Sequence, residues 1–133
     1  MMGIVQYTEF APARNTLQSD NLESIHTMPD DFEVLQDHQG LAIRLTNERW
    51  AHILDHPEMA GQQERLAETL VSPDIVTATV KDEAVHAYHH LYDTTPITRK
   101  YMVVVVKMLA DDAFVVTAFY SSRVKKGDVI WQK

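Results

Sequence analysis

The sequence predicts an α+β domain, with two helices packed on one face of a four-stranded antiparallel sheet and an N-terminal extension in front. Three observations lead there. Two segments of helical period come first. Four segments rich in β-branched and aromatic residues follow, with the period changed to two. Short polar connections join those later segments, which suits antiparallel neighbours. At 133 residues, one domain with one core is the expectation.

Residues 1–30 are polar, hold no sustained period and end in Pro29-Asp30. They read as an extension, and 31–133 as the domain. "FEVLQDHQGLAIRL" reads as two extended pieces around Asp37-His38-Gln39-Gly40, a turn cluster that suits a hairpin. "TNERWAHILDH" reads as a helix capped by Thr46 or Asn47, with Glu48 in its first turn and Pro57 as its stop. At 100° per residue Trp50, Ile53 and Leu54 share one face, and Arg49, His52 and His56 share another flank. "QQERLAETLV" is a second helix with Leu66, Ala67, Leu70 and Val71 as its apolar stripe, stopped by Ser72-Pro73-Asp74.

"DIVTATV", "VHAYHHLY", "RKYMVVVVKM" and "AFVVTAFY" are the four strands. Alternation groups Lys100 with Met102, Val104 and Val106, opposite Tyr101, Val103, Val105 and Lys107. It groups Val115, Thr117 and Phe119, opposite Phe114, Val116, Ala118 and Tyr120. His86, Tyr88, His90 and Tyr92 form a set too polar for a dry core, so they are expected on the open face. In "SSRVKKGDVIW" the serines and Lys-Gly-Asp read as loop and turn, with Trp131 as a core plug.

The net charge of −7 argues against non-specific nucleic-acid binding by the molecule as a whole. The distribution is uneven. Residues 99–133 carry seven basic residues against three acidic ones, on an otherwise acidic body. A basic end suits an anionic substrate, although a solvated loop with excess charge explains it equally simply. There is no cysteine, which excludes disulfides and thiolate metal sites. The start "MMGIVQYTEF" shows no basic n-region and no long apolar run, so no signal peptide and a cytoplasmic location are expected.

"HILDHPE" sets two histidines four apart. A zinc-protease pattern needs Glu directly after the first histidine, and Ile53 stands there, so neither metal nor cofactor is expected. Acid–base cleavage of RNA needs a base for the 2′-OH, an acid for the leaving 5′-oxygen, and donors for the phosphorane. His52 and His56 suit the proton roles. Arg49, Arg99, Lys100 and Arg123 are candidate phosphate clamps, Thr117 offers a strand hydroxyl, and Tyr88, Tyr92 and Tyr120 can donate to phosphate or stack a base. The competing reading makes Arg49, His52, Asp55 and His56 a solvated helix face.

The helix with "RWAHILDHPE", the second helix ending "SPD", and the strands "YMVVVVK" and "VVTAFYSSRVKKGDVIW" together resemble the barnase–EndoU–colicin–RelE-like ribonucleases, in their phage-associated or polymorphic-toxin branch. The likeness spans about residues 41–131. It implies a metal-independent endoribonuclease of toxin type, two N-terminal helices and a four-stranded antiparallel sheet. It further implies catalytic roles for His52, His56, Arg99 or Lys100, and Thr117, and substrate contacts from Tyr120, Arg123 and Lys126. RNA and an antitoxin or immunity protein would be its partners. The alternatives are a non-catalytic RNA-binding module, or a protein-interaction domain using the open sheet and the acidic half.

Overall fold

The computed structural model describes residues 31–133. The extension expected over residues 1–30 lies outside the described residues. Strands β1 (Phe32–Gln36) and β2 (Ala42–Thr46) form the expected antiparallel hairpin. Its turn is closed by Asp37, whose Oδ1 accepts the backbone N–H groups of Gln39 and Leu41, and by Gly40 at φ +83°, a conformation that costs other residues energy.

β2 runs straight into helix α1 (Asn47–Ile53). Thr46 serves both elements: its backbone is extended and its hydroxyl accepts the N–H of Arg49. The helix is shorter than the sequence predicts. It ends at Ile53, and tight turns carry the chain through His56 to a 3-10 turn at Pro57–Met59. Helix α2 (Gln63–Val71) buries Leu66, Thr69 and Leu70, while Val71, expected on the stripe, is exposed. Strands β3 (Ile75–Thr79), β4 (Val85–Tyr92), β5 (Lys100–Met108) and β6 (Ala113–Ser121) then form an antiparallel meander, and β7 (Gly127–Gln132) follows.

The expected four-stranded antiparallel sheet is corrected here. The sheet has seven strands in the order β1-β2-β6-β5-β4-β3-β7, and it is mixed because β2 lies parallel to β6. The two helices follow a hairpin rather than open the domain. The physical reason is edge pairing. The hairpin adds to the free edge of β6, and "GDVIWQ", in which only Gly-Asp was expected as turn and Trp131 as a core plug, adds to the free edge of β3 as a strand. The hairpin is clasped by Arg44, which donates twice to Asp112 (3.1 and 2.7 Å) with its guanidinium 5.7 Å from the rings of both Phe32 and Phe114.

Both helices bury their apolar residues on one sheet face. Ile53, Met59, Leu66 and Leu70 meet Tyr88, Met102, Val104, Val106, Val115, Ala118 and Tyr120. Each fully buried aliphatic side chain contributes about 1.5–3 kcal/mol. This overturns one expectation. The β4 set containing Tyr88 and Tyr92 faces the helices, not the open side. Its polar atoms are satisfied there: the Tyr88 hydroxyl donates to Asp37 Oδ2 at 2.7 Å, the Tyr92 hydroxyl to Glu68, and His90 meets the Ser72 carbonyl at 2.6 Å. Burial, reinforced by Asp37, pushes the Tyr88 hydroxyl far above its ordinary pKa.

Two stability outcomes follow from this packing. Tyr88→Phe leaves one oxygen of a buried carboxylate without its donor and is expected to cost about 1–3 kcal/mol in urea unfolding. A change below about 0.5 kcal/mol would mean that the Asp37–Tyr88 bond carries no weight. At Gly127, an added Cβ would stand 2.0 Å from the Ala78 carbonyl oxygen. Gly127→Ala is therefore expected to detach β7 from β3, read as lost amide-exchange protection in Val76–Thr79, and to cost at least about 2 kcal/mol.

Candidate functional site on the helix-free sheet face

None of the described helices covers the other sheet face. It carries Ala87 and His89 from β4, Tyr101, Val103 and Val105 from β5, and Thr117 and Phe119 from β6. A bulge between Val105 and Val106 sets this grouping on β6. The chain takes one extra residue at Val116, so Val115 faces the helices while Thr117 pairs with Val105 and turns to the open side. Val103 and Val105 are buried, but Tyr101, Thr117 and Phe119 remain partly exposed around them.

Residues 122–126 connect β6 to β7 and must cross β5, β4 and β3 to do so. This strap is tied down on the open face. The Lys125 N–H donates to His89 Nε2 at 2.9 Å, and the Thr77 hydroxyl meets the Lys125 carbonyl at 3.3 Å. His89 is fully buried, and its Nδ1 lies 3.1 Å from the Ile75 carbonyl. A carbonyl can only accept and a backbone N–H can only donate, so the partners fix a neutral imidazole with its proton on Nδ1. Burial, opposed by the Ile75 carbonyl and aided by Lys125, lowers the His89 pKa. The strap presents Arg123, Lys125 and Lys126 with no acidic residue among them. Arg123 itself is set by Ser121, whose hydroxyl bonds both its N–H and its carbonyl.

The sequence-predicted residues divide between surfaces. Thr117 lies on the open face. His56 lies at its rim, with its ring centroid 6.4 Å from that of Phe119, which stands two residues (about 7 Å) along the same face from Thr117. Arg123 and Lys126 flank the face on the strap. His52 is exposed on α1 and sits 3.7 Å from Asp55. Arg49, on the same helix, is partly exposed. Arg99 is exposed and pairs with Asp93 at 3.3 Å. Lys100, Tyr88 and Tyr120 belong to the helix side, and the Tyr120 hydroxyl donates to Gln62. The structure thus places Thr117 on the face that the strap crosses and His56 beside Phe119 at its rim. It separates them from Lys100, Tyr88 and Tyr120.

Tyr101, Phe119, His89 and Lys125 were not singled out from the sequence. Alternation did place Tyr101 opposite Lys100, and that was the available signal. Among the described residues no group of three or more His, Asp or Glu side chains is placed to hold a metal ion. No helix among them is long and apolar enough to cross a membrane.

The buried neutral His89 has a pH consequence. Its folded pKa lies below the unfolded value of about 6.5, so its contribution to stability is complete above that pH and is lost as pH falls toward the folded value. Stability to urea is therefore expected to fall as pH drops below about 6.5, and His89→Leu should flatten that slope. An unchanged slope in the variant would remove His89 as its source.

The chain matches no family profile, no curated protein and no solved structure.

Proposed function

We propose that this domain is a metal-independent endoribonuclease whose substrate lies on the helix-free sheet face. One observation carries the reading: His56, Thr117 and the cationic strap border the same surface, beside the rings of Phe119 and Tyr101. That grouping combines a proton carrier, a hydroxyl donor, phosphate-binding cations and stacking surfaces for unpaired bases.

In the reaction the 2′-oxygen attacks the adjacent phosphorus and the bond to the 5′-oxygen breaks. One proton leaves the 2′-oxygen and one is delivered to the 5′-oxygen. His56 can take the first and give the second in sequence, leaving a 2′,3′-cyclic phosphate and a 5′-hydroxyl. Thr117 and the strap cations stabilise charge on the phosphoryl oxygens. Location with RNA in the cytoplasm belongs to this same reading.

A second reading, an RNA-binding surface without cleavage, is favoured by the other histidines. His89 is locked beneath the strap, and His52 stands beside Asp55. His56 would then have to act alone.

The test is cleavage of total tRNA and rRNA in EDTA. Wild type should cut, His56→Ala should cut about 10²–10⁴-fold more slowly, and Thr117→Val should also be impaired. Lys100→Ala, on the other face, should stay within a few fold of wild type, on the order of a surface change. Absent cleavage by the folded protein, with RNA still bound, would favour the second reading. Activity unchanged in His56→Ala would contradict the first.

A further inference from the structure

A cavity of about 170 Å³ lies on the helix side of the sheet, away from the surface just described, where the β1–β2 turn meets β3, β4 and β7. Asp37, His38, His86, Tyr88, Met108 and Trp131 are among its lining residues. Three features set its chemistry. Asp37 is only 6% exposed, and among the described residues no Lys or Arg pairs with it. Its Oδ1 is filled by two backbone N–H groups, but Oδ2 accepts only the Tyr88 hydroxyl and keeps capacity for a further donor. The walls are aromatic: His38 lies 4.4 Å from Trp131 and 6.1 Å from Tyr88 between ring centroids.

We infer that this cavity is a binding site for a small organic cation, a guanidinium or alkylammonium group. A buried carboxylate gains most from a positive charge that brings its own N–H donors. Aromatic rings attract a desolvated cation to their faces. No lysine or arginine lines the cavity, so Asp37 meets no fixed positive charge there. Its size admits a side-chain head group or a small metabolite. The site is independent of the ribonuclease reading, since it lies on the opposite sheet face and shares no residue with it.

The experiment is a titration of the full chain at about pH 8, above the ordinary histidine range, followed by NMR at the Trp131 indole N–H and the Gln39 and Leu41 amides. Nα-acetyl-arginine methyl ester is the probe, and Nα-acetyl-citrulline methyl ester, which carries no ionisable amine, is its neutral counterpart. Saturable shifts with the arginine ester, and binding of the citrulline ester at least roughly tenfold weaker, are expected. Asp37→Asn should abolish the preference. Should that variant fail to fold, Trp131→Leu read at the Gln39 and Leu41 amides should weaken binding of the arginine ester. A capped Gly-Arg-Gly peptide distinguishes the source: binding as tight as the ester means a side chain of a polypeptide, and binding of the ester alone means a free small molecule. Either supports a cation site. No saturable shift, equal affinity for the two esters, or unchanged binding in the folded variants would overturn it.

Discussion

Four consecutive valines, Val103 to Val106, are buried whichever face of the sheet they point to. In a strand at the centre of a sheet that places an apolar demand on both sides at once. The two helices meet it on one side, where Val104 and Val106 join the main core. On the other side, among the described residues, the cover is the rims of Tyr101, Val116 and Phe119 with Ala87 and Val85 around Val103 and Val105, and the strap tied to His89 and Thr77. The asymmetry of the molecule starts from that difference. One face is closed by packing, and the other keeps partly exposed aromatic and hydroxyl groups above a dry floor.

The strap between β6 and β7 follows from the same sheet. β7 lies at the β3 edge, so the chain leaving β6 has to traverse three strands within a few residues. It crosses the face without helices, and its backbone polar groups need partners there. His89 and Thr77 supply them. A histidine on an apolar face is thereby explained as the hydrogen-bond acceptor that holds a cationic segment in place. Three basic residues, Arg123, Lys125 and Lys126, sit on the segment that crosses this face although the molecule as a whole carries net negative charge.

Much of the local structure was legible. The Asp37–Gly40 turn, the Thr46 cap and the four strands from Ile75 to Ser121 each have a local cause in side-chain hydrogen bonding or in period. The sheet order was not legible, because edge pairing of the hairpin and of Gly127–Gln132 depends on which edges remain free after the meander forms. The orientation of β4 was not legible either. Both of its faces carry a histidine, and the choice is settled by Asp37 reaching Tyr88 from 51 residues away in sequence. For the site, Thr117 and His56 could be found from residue type and spacing. Alternation already set Tyr120 opposite Thr117, whereas the face Lys100 shares depends on the register between β5 and β6, which no local pattern gives. Helix α1 was extended too far, since proline marks a boundary only on its N-terminal side and the chain had already turned at Ile53.

We propose that RNA occupies the helix-free face. Chemical-shift mapping with a short RNA in which each 2′-OH is methylated tests it directly, because the attacking group is removed while shape and charge are kept. Shifts are expected at Tyr101, Thr117, Phe119 and the strap amides of Arg123 to Lys126, weakening with added salt. Shifts confined to α2 and the helix-side residues of β4, or none at all with the fold intact, would contradict it.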